Sequence, residues 1–202
     1  MVERAIRSAL SCEAEGIISE VLVVDDCSSD DTQEKLKHFG DRIKYLKTPK
    51  NLGAGGASDF ALGEISSQYY ARLDSDDFVS RHFVSSLIMV LEQNPSIAIA
   101  SCDYLLVDSY ENPISVSDLS DFNELQNFGA GMVFRTDLVK SAGGYNPELR
   151  YGEDLDLHLR LATLGAQRFH YPVALYRRKI HDGNLSSDPE DQLTRKGIIN
   201  GN

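Results

Sequence analysis

Apolar and polar positions alternate along the first half of the chain so that strands and helices are predicted in turn. Val21 to Val24 form a continuous apolar run, typical of a strand buried on both faces of a parallel sheet. Apolar residues at helical spacing predict helices that begin at the start of the chain and again near Ala54 and Arg81. Further strands are predicted over Ile43–Leu46 and Tyr69–Leu73. This β–α repeat predicts an α/β fold with a mostly parallel, Rossmann-like sheet flanked by helices.

The second half of the chain has shorter and less regular patterns. A polar, acidic segment after Ser115 predicts a loop that extends to Asn127, and the residues after Asn184 form a polar tail. The predicted strands are Ile97–Ser101, Tyr104–Val107, Met132–Phe134, Phe169–Tyr171 and Ala174–Arg178, and the predicted helices are Asp137–Ser141 and Glu153–Leu164.

Composition and charge exclude some classes of protein. The 42% of hydrophobic residues and 25% of charged residues are ordinary for a soluble globular domain. A formal net charge of −11 argues against general nucleic-acid binding, although it allows a nucleotide whose phosphates arrive with a metal. Three scattered cysteines indicate a reducing compartment and no zinc site. No apolar run is long enough to predict a transmembrane segment and no signal peptide is visible, so we expect a cytoplasmic protein, with peripheral association at the inner face of the membrane left open.

Three carboxylates, those of Asp74, Asp76 and Asp77, crowd into four positions directly after a predicted strand. Carboxylates this close repel one another unless they are solvated or a cation binds among them. Oxygen ligands of this kind suit Mg²⁺ or Mn²⁺, which often bridge to substrate phosphates. The same pattern is also typical of an acidic turn that leads into a helix, with Asp77 or Ser80 as its cap.

A second acidic pair strengthens the functional interpretation. Asp25 and Asp26 follow another predicted strand, and ligands in such sheets bind beyond the carboxyl ends of the strands. The sequence therefore predicts a binding site at this edge of the sheet.

Several motifs, in one order, resemble those of family 2 glycosyltransferases, which have the GT-A fold. Val23–Thr32 is similar to the VVDDGSSDDT signature, Asn51–Ala57 to the N-x-G-x-x-x-A segment, Leu73–Asp77 to the DxD motif, Gly143–Tyr145 with Gly152–Leu157 and Arg160 to the GG-[YF] and ED motifs, and Tyr176–His181 to the closing (Y/R)R-x-x-H region.

The resemblance implies metal-assisted transfer of a sugar, with inversion, from a nucleotide-sugar donor to an acceptor hydroxyl. It implies a UDP-linked donor, a saccharide or lipid-linked acceptor, Mn²⁺ or Mg²⁺ as cofactor, and a role in polysaccharide biosynthesis. By resemblance, Asp154 is the general base, Asp76 and His181 are metal ligands, Asp26 contacts the nucleotide base, Asp74 lies near the ribose, Arg178 lies near the diphosphate, and Glu153 is a further substrate-binding residue. It also implies one domain over residues 1–187, with a nucleotide-sugar half (1–107), an acceptor and base half (108–187), and a polar tail (188–202).

Two of these assignments have simpler alternatives. A helix N-terminus favours ionised carboxylates, as a general base requires, but Glu153 and Asp154 could be no more than favourable charge at that position. His181 could be a solvent-exposed histidine of the tail. Neither alternative is settled by the sequence.

The chain departs from the family pattern in two places. The family begins with a strand that contributes to the nucleotide pocket, and this chain starts after it, so we expect an N-terminally truncated GT-A fold of uncertain activity. The Arg-Asn that commonly follows the glycine-rich segment is replaced by Ser58 and Asp59. Arg72 could compensate for the lost cation if its side chain points into the pocket.

Two rival functions remain open at this point. One is a receiver-like signalling domain, because Asp25 and Asp26 resemble the acidic pair of such domains, with Lys179 as the candidate lysine at a strand end. The other is a non-catalytic domain that binds a nucleotide sugar.

Overall fold

The computed structural model describes residues 1–12, 20–117, 129, 131–181, 190, 193–194 and 197–198. The helices are α1 (Val2–Leu10), α2 (Thr32–Leu36) with a following 3₁₀ segment (Lys37–Arg42), α3 (Gly53–Glu64), α4 (Phe83–Gln93), α5 (Thr136–Ser141) and α6 (Glu153–Thr163). The strands are β1 (Leu22–Asp25), β2 (Lys44–Lys47), β3 (Tyr69–Ala71), β4 (Phe78–Val79), β5 (Ile97–Val107), β6 (Pro113–Ser117), β7 (Met132–Arg135) and β8 (Gln167–Lys179).

The described strands form two sheets. β1 and β2 pair in parallel, with Leu22 opposite Lys44 and Asp25 opposite Lys47. The larger sheet has the order β3-β7-β5-β8-β4, with β6 paired to β5. The predicted α/β fold is confirmed, but the mostly parallel sheet is corrected to a mixed one: β1–β2 and β5–β8 are the parallel pairs, and the other four described pairings are antiparallel.

One of the antiparallel pairings, that of β5 with β6, has a local cause in the short connection between the two strands. β5 and β6 are joined by a tight turn in which the Asp108 carboxylate accepts hydrogen bonds from the backbone N–H groups of Tyr110 and Asn112. So short a link can join only antiparallel strands, since a parallel pair requires a longer crossover.

Two pairs of predicted strands are each one long strand. β5 runs without interruption from Ile97 to Val107, and β8 runs beside it from Gln167 to Lys179. The apolar pattern in the sequence is interrupted by Asp103 in β5 and by Pro172 in β8, where the pairing of the two strands shifts register. In the fold Asp103 has a partner on the neighbouring strand, because His170 lies 2.8 Å from its carboxylate and 3.1 Å from the Ser101 hydroxyl.

The main core lies between α4 and the larger sheet. Leu87 and Leu91 of α4 are fully buried against strand residues that include Ile99 and Phe134. A smaller cluster, formed by Ile6, Leu10, Leu36 and Phe39, joins α1 and the 32–42 segment to the smaller sheet. These two clusters hold the strand ends that carry the predicted site.

The predicted loop of 115–127 begins as strand β6 up to Ser117, and its remaining residues lie outside the described part of the chain. Of the predicted tail, 188–202, the described part contains residues 190, 193–194 and 197–198. No helix in the described ranges is both long and apolar enough to cross a bilayer.

Candidate functional site

The acidic turn, Asp74 to Asp77, joins strands β3 and β4, which are the first and last strands in the order of the larger sheet. The backbone N–H of Asp77 donates to the carbonyl of Asp74 at 3.2 Å and closes the turn. The side chains of Asp74 and Asp76 stay 40% and 24% exposed, whereas Asp77 as a whole is only 3% exposed. The three carboxylates therefore differ in their access to a ligand.

Asp76 is paired with His181, which lies 105 residues later in the chain. His181 Nε2 is 2.9 Å from Asp76 Oδ2, and the His181 side chain is 22% exposed. His181 follows the end of β8, whose partner β4 begins just after the acidic turn. The two residues predicted to bind a metal are thus brought together, and His181 contacts the acidic turn in this structure.

Asp77 stabilises the acidic turn through two hydrogen bonds. Its Oδ2 accepts a hydrogen bond of 2.6 Å from the Tyr176 hydroxyl, and its Oδ1 accepts one of 2.8 Å from the backbone N–H of Lys179. Burial raises the pKa of this carboxyl to about 7, despite these two hydrogen bonds. The alternative in which Asp77 caps the following helix does not hold, because α4 begins at Phe83 with His82 at its N-cap. Ser80 lies closer to that end, and its Oγ accepts a long hydrogen bond of 3.4 Å from the His82 N–H.

Arg72 points into the site and joins the acidic turn to α6. Its Nε donates to Asp74 Oδ1 at 3.2 Å, and its Nη1 donates to Glu153 Oε1 at 2.5 Å. Burial raises the pKa of the Glu153 carboxyl, and the Arg72 guanidinium opposes that rise. Arg72 therefore faces the acidic turn and the start of α6, and its replacement of the cation missing at Ser58 and Asp59 stays a prediction.

Two carboxylates are buried at the first turn of α6, where Glu153 is 4% exposed and Asp154 is 5% exposed. Asp154 Oδ1 accepts a hydrogen bond of 2.8 Å from the backbone N–H of Leu155. Gly129 packs directly on Asp154, since a Cβ atom at Gly129 would lie 2.7 Å from the Asp154 Cβ and 3.0 Å from its Oδ2. A carboxylate at a helix N-terminus is favoured in its ionised form, which a general base requires.

The β1 aspartate pair, Asp25 and Asp26, is held by a different set of contacts. Asp25 Oδ2 accepts from the Tyr45 hydroxyl at 2.7 Å and its Oδ1 from the Ser28 N–H at 2.8 Å. Burial alone would raise the pKa of Asp25, but these hydrogen bonds and the nearby charge of Lys47 outweigh it, so the pKa lies below its usual range. Asp25 is therefore an ionised, buried support.

Asp26 stabilises the start of α3 through hydrogen bonds. Its Oδ1 accepts hydrogen bonds from the Leu52 N–H at 2.7 Å and the Thr48 hydroxyl at 2.9 Å, and its Oδ2 accepts one from the Gly53 N–H at 2.8 Å. A carboxylate offers about four acceptor positions, so these contacts use three of them. The structure thus gives Asp26 a structural task, and contact with a nucleotide base stays a prediction.

Arg178 lies on β8, next to the residue whose N–H binds Asp77. Its guanidinium carbon is 6.0 Å from the centre of the Tyr104 ring, at the outer limit of a cation–π contact.

Asp59 lies against the glycine pair that precedes α6, because a Cβ atom at Gly144 would come within 2.6 Å of Asp59 Oδ1. Gly144 also has a φ of +71°, so this turn favours glycine on both counts.

Sequence reasoning missed several supporting residues. Tyr176 binds Asp77 across 99 positions, and no local pattern announces so distant a pair. The buried hydroxyls of Tyr70 and Tyr145 lie 3.1 Å apart, where Tyr145 belongs to the Gly-Gly-Tyr segment that was noted for another reason. Gly129 had no periodic or motif signal at all.

Asp76 and His181 are the described residues best placed to hold a divalent cation. A carboxylate and an imidazole suit Mn²⁺, and cations of this kind take remaining ligands from substrate phosphates and water. In the described part of the chain no three His, Cys, Asp or Glu side chains cluster as a complete metal cage. The pair therefore fits a cation shared with a phosphate ligand and does not fit an all-protein site.

The chain matches one family model and is similar to curated relatives. Residues 1–141 match the family model described as Glycosyl transferase family 2. The chain is 29% identical over 205 residues to the succinoglycan biosynthesis protein ExoO of Rhizobium meliloti, which covers 92% of this chain and 58% of that protein.

Solved structures agree in fold. S. aureus TarS 1–349 in complex with UDP-GlcNAc matches with a TM-score of 0.78 at 20% identity, over 98% of this chain and 61% of that one. The mannosyltransferase PcManGT from Pyrobaculum calidifontis, in complex with GDP-Man and Mn²⁺, matches with a TM-score of 0.71 at 15% identity, over 91% of this chain and 54% of that one. The chain thus spans about three fifths of the length of these proteins, and the GT-A fold is confirmed.

Proposed function

The chain belongs to glycosyl transferase family 2, and from that premise we propose that it transfers a sugar from a UDP-linked donor to an acceptor hydroxyl, with inversion and with Asp154 as general base. One observation carries the proposal. Arg72 joins the acidic turn that contains the Asp76–His181 pair to the helix N-terminus that contains Asp154. A donor-binding element and a candidate base therefore meet in one site.

The donor part of the proposal assigns the nucleotide to the strand ends. Asp26 would contact the base with its remaining acceptor position, Asp74 would lie at the ribose, and Arg178 would face the diphosphate. Related structures hold UDP-GlcNAc or GDP-Man, which supports a nucleoside-diphosphate sugar as the donor class. The relatives named for succinoglycan and amylovoran biosynthesis support a product that is a polysaccharide.

Asp76 and His181 would hold Mn²⁺ or Mg²⁺. Such a cation, when bound, stabilises the negative charge that develops on the departing diphosphate. The Asp76 carboxylate also keeps the exposed side of the turn negative, which attracts a cation before the donor arrives. Mn²⁺ in a structural relative supports this part of the proposal.

Asp154 would accept the proton of the acceptor hydroxyl. The hydroxyl oxygen forms a bond to the anomeric carbon, the bond from that carbon to the diphosphate oxygen breaks, and the proton passes to Asp154. Attack from the face opposite the leaving group inverts the anomeric configuration. Glu153, paired with Arg72, would support substrate binding and leave Asp154 as the carboxylate that faces the acceptor.

We further propose a division of labour along the chain. Residues 1–107 would form the donor half, residues 108–187 the acceptor and base half, and residues 188–202 a tail outside the domain. The acceptor would be a saccharide or a lipid-linked saccharide, and the protein would work in the cytoplasm or at the inner face of the membrane.

Family membership removes the receiver interpretation, because the acidic strand ends belong to a glycosyltransferase pattern. A non-catalytic domain that binds the donor is the remaining alternative. A screen of nucleotide sugars for release of UDP or GDP, with Mn²⁺ present, separates the two. Turnover supports the enzyme, whereas tight binding without turnover of any donor supports the alternative.

Asp154→Asn tests the base. Because an amide cannot take up the proton, we expect kcat to fall on the order of 10²–10⁴-fold while the KM of the donor changes little. Circular dichroism and thermal unfolding check that the variant folds. Transfer at the parent rate in a folded Asp154→Asn protein would contradict the assignment.

A further inference from the structure

Arg72 is the cation that touches both halves of the site. Its guanidinium contacts Asp74, two positions from Asp76, and Glu153, which directly precedes Asp154. The contact with Glu153 spans 81 positions of sequence. A single side chain therefore connects the geometry of the acidic turn with the geometry of the candidate base.

The charges around α6 show why a cation is required there. Glu153, Asp154 and Asp156 all lie in the first turn of the helix, and the first two are buried. Two adjacent buried carboxylates raise each other's free energy unless a positive charge offsets them. The Arg72 side chain is itself 23% exposed and lies 2.5 Å from Glu153, so it supplies that charge at close range.

The shape of the guanidinium matters as well as its charge. Nε and Nη1 bind two different carboxylates, and a planar fork holds both at a fixed separation. A lysine at this position would supply one charge but could not donate in the same two fixed directions.

We propose that Arg72 is a positioning residue that fixes Asp154 relative to the acidic turn by pinning Glu153. This inference rests on the proposed function, because it assigns a task within the same site. Arg72 acts through Glu153 on the transfer step and through Asp74 on donor binding. Its two contacts should therefore have separable kinetic effects.

A double-mutant cycle on the full chain tests the contact between Arg72 and Glu153. Glu153→Gln, Arg72→Met and the double variant are compared for turnover of the donor found in the screen, with Mn²⁺ present. We expect Glu153→Gln to lower kcat on the order of 10- to 100-fold with a donor KM within about threefold of the parent. The double variant should have a kcat no lower than that of Arg72→Met alone, since both changes remove one interaction.

Two further variants separate positioning from general support of the fold. Arg72→Lys keeps the charge, so we expect it to restore the melting temperature lost in Arg72→Met but to recover kcat only in part. Lys44→Met is the matched control, because it removes a cation from an exposed pair with Glu64, 2.9 Å apart, away from the site. It should keep parent kcat and KM.

The outcomes are distinct. Independent, multiplying losses of kcat in Arg72→Met and Glu153→Gln, or full recovery of kcat by Arg72→Lys, would overturn the positioning role while the parent enzyme remains active. A parent chain that turns over no nucleotide sugar and binds no UDP with Mn²⁺ would overturn the proposed function, and this inference with it.

Discussion

Two strands lead into acidic residues, β1 into Asp25 and Asp26 and β3 into the acidic turn, and the two sets have different hydrogen-bond partners. The β1 aspartate pair meets donors of the protein itself: the Tyr45 hydroxyl for Asp25, and the backbone N–H groups of Leu52 and Gly53 for Asp26. In the acidic turn, Asp77 is held in the same way, by the Tyr176 hydroxyl and the Lys179 backbone N–H.

Asp74 and Asp76 instead face partly exposed cationic or titratable partners, Arg72 and His181. Asp26, held by the Thr48 hydroxyl and by two backbone N–H groups, shapes the start of α3, whereas an aspartate that faces a histidine at the surface can exchange that partner for a ligand. From this comparison we expect the first strand end to contribute more to stability and the second to contribute more to ligand binding.

The largest effect on this comparison is expected from Asp76→Asn. Loss of the carboxylate removes one of the two residues proposed to hold the cation, so kcat should fall on the order of 10²–10³-fold in the presence of Mn²⁺. The melting temperature should stay close to that of the parent, because the side chain is 24% exposed and has His181 as its partner. A donor turnover assay with a thermal melt measures both.

The control for Asp76→Asn is Asp30→Asn, which changes an exposed aspartate in the same way outside the acidic turn. It should leave turnover unchanged. Equal losses of turnover in the two variants would show that the acidic turn has no special part in catalysis.

In contrast to Asp76→Asn, Asp26→Asn should mainly lower the stability of the fold. The amide would present N–H groups to at least one of the donors from Thr48, Leu52 and Gly53, and an unsatisfied donor costs about 1–3 kcal/mol. We expect the free energy of unfolding to fall by about 3 kcal/mol, measured by urea denaturation. An unfolding free energy equal to that of the parent would show that Asp26 does not hold the start of α3.

Asp25→Asn should give a smaller loss that depends on pH. Because the pKa of Asp25 is lowered in the folded state, its contribution is present above the unfolded pKa of about 3.9 and is lost as the pH falls through the folded pKa. The variant should be less stable than the parent by about 1.5 kcal/mol at pH 7, and the two should converge below about pH 4.

Urea denaturation at several pH values measures this difference. A gap between the two proteins that stays constant from pH 7 to pH 3 would mean that Asp25 does not contribute through its charge.

The sequence predicts most of what is local and little of what is distant. The apolar run at β1, the acidic turn and the helix that begins at Glu153 are each set by neighbouring residues, and each is found at or near its predicted place. The long strands β5 and β8 were each predicted as two, because Asp103 interrupts the apolar run of β5 and Pro172 that of β8. The pairing that carries both strands past this point, with a register shift at Cys102 and Asp103, forms only in the sheet.

The same limit applies to the candidate site. Motif order brings Asp76 and His181 into one hypothesis, but their separation of 2.9 Å depends on β8 passing beside β4. The pairing of Asp77 with Tyr176 and the contact of Gly129 with Asp154 depend on tertiary packing in the same way. Periodicity and spacing carry no information on such contacts.

The most direct test of the central claim is calorimetric titration of UDP into the full chain with and without Mn²⁺, for the parent, Asp76→Asn and Asp26→Asn. We predict that Mn²⁺ tightens UDP binding at least about tenfold in the parent, about 1.4 kcal/mol. Asp76→Asn should lose this gain, and folded Asp26→Asn should keep it. Equal affinity with and without Mn²⁺ in the parent, or an Mn²⁺ gain that survives in Asp76→Asn, would contradict the account.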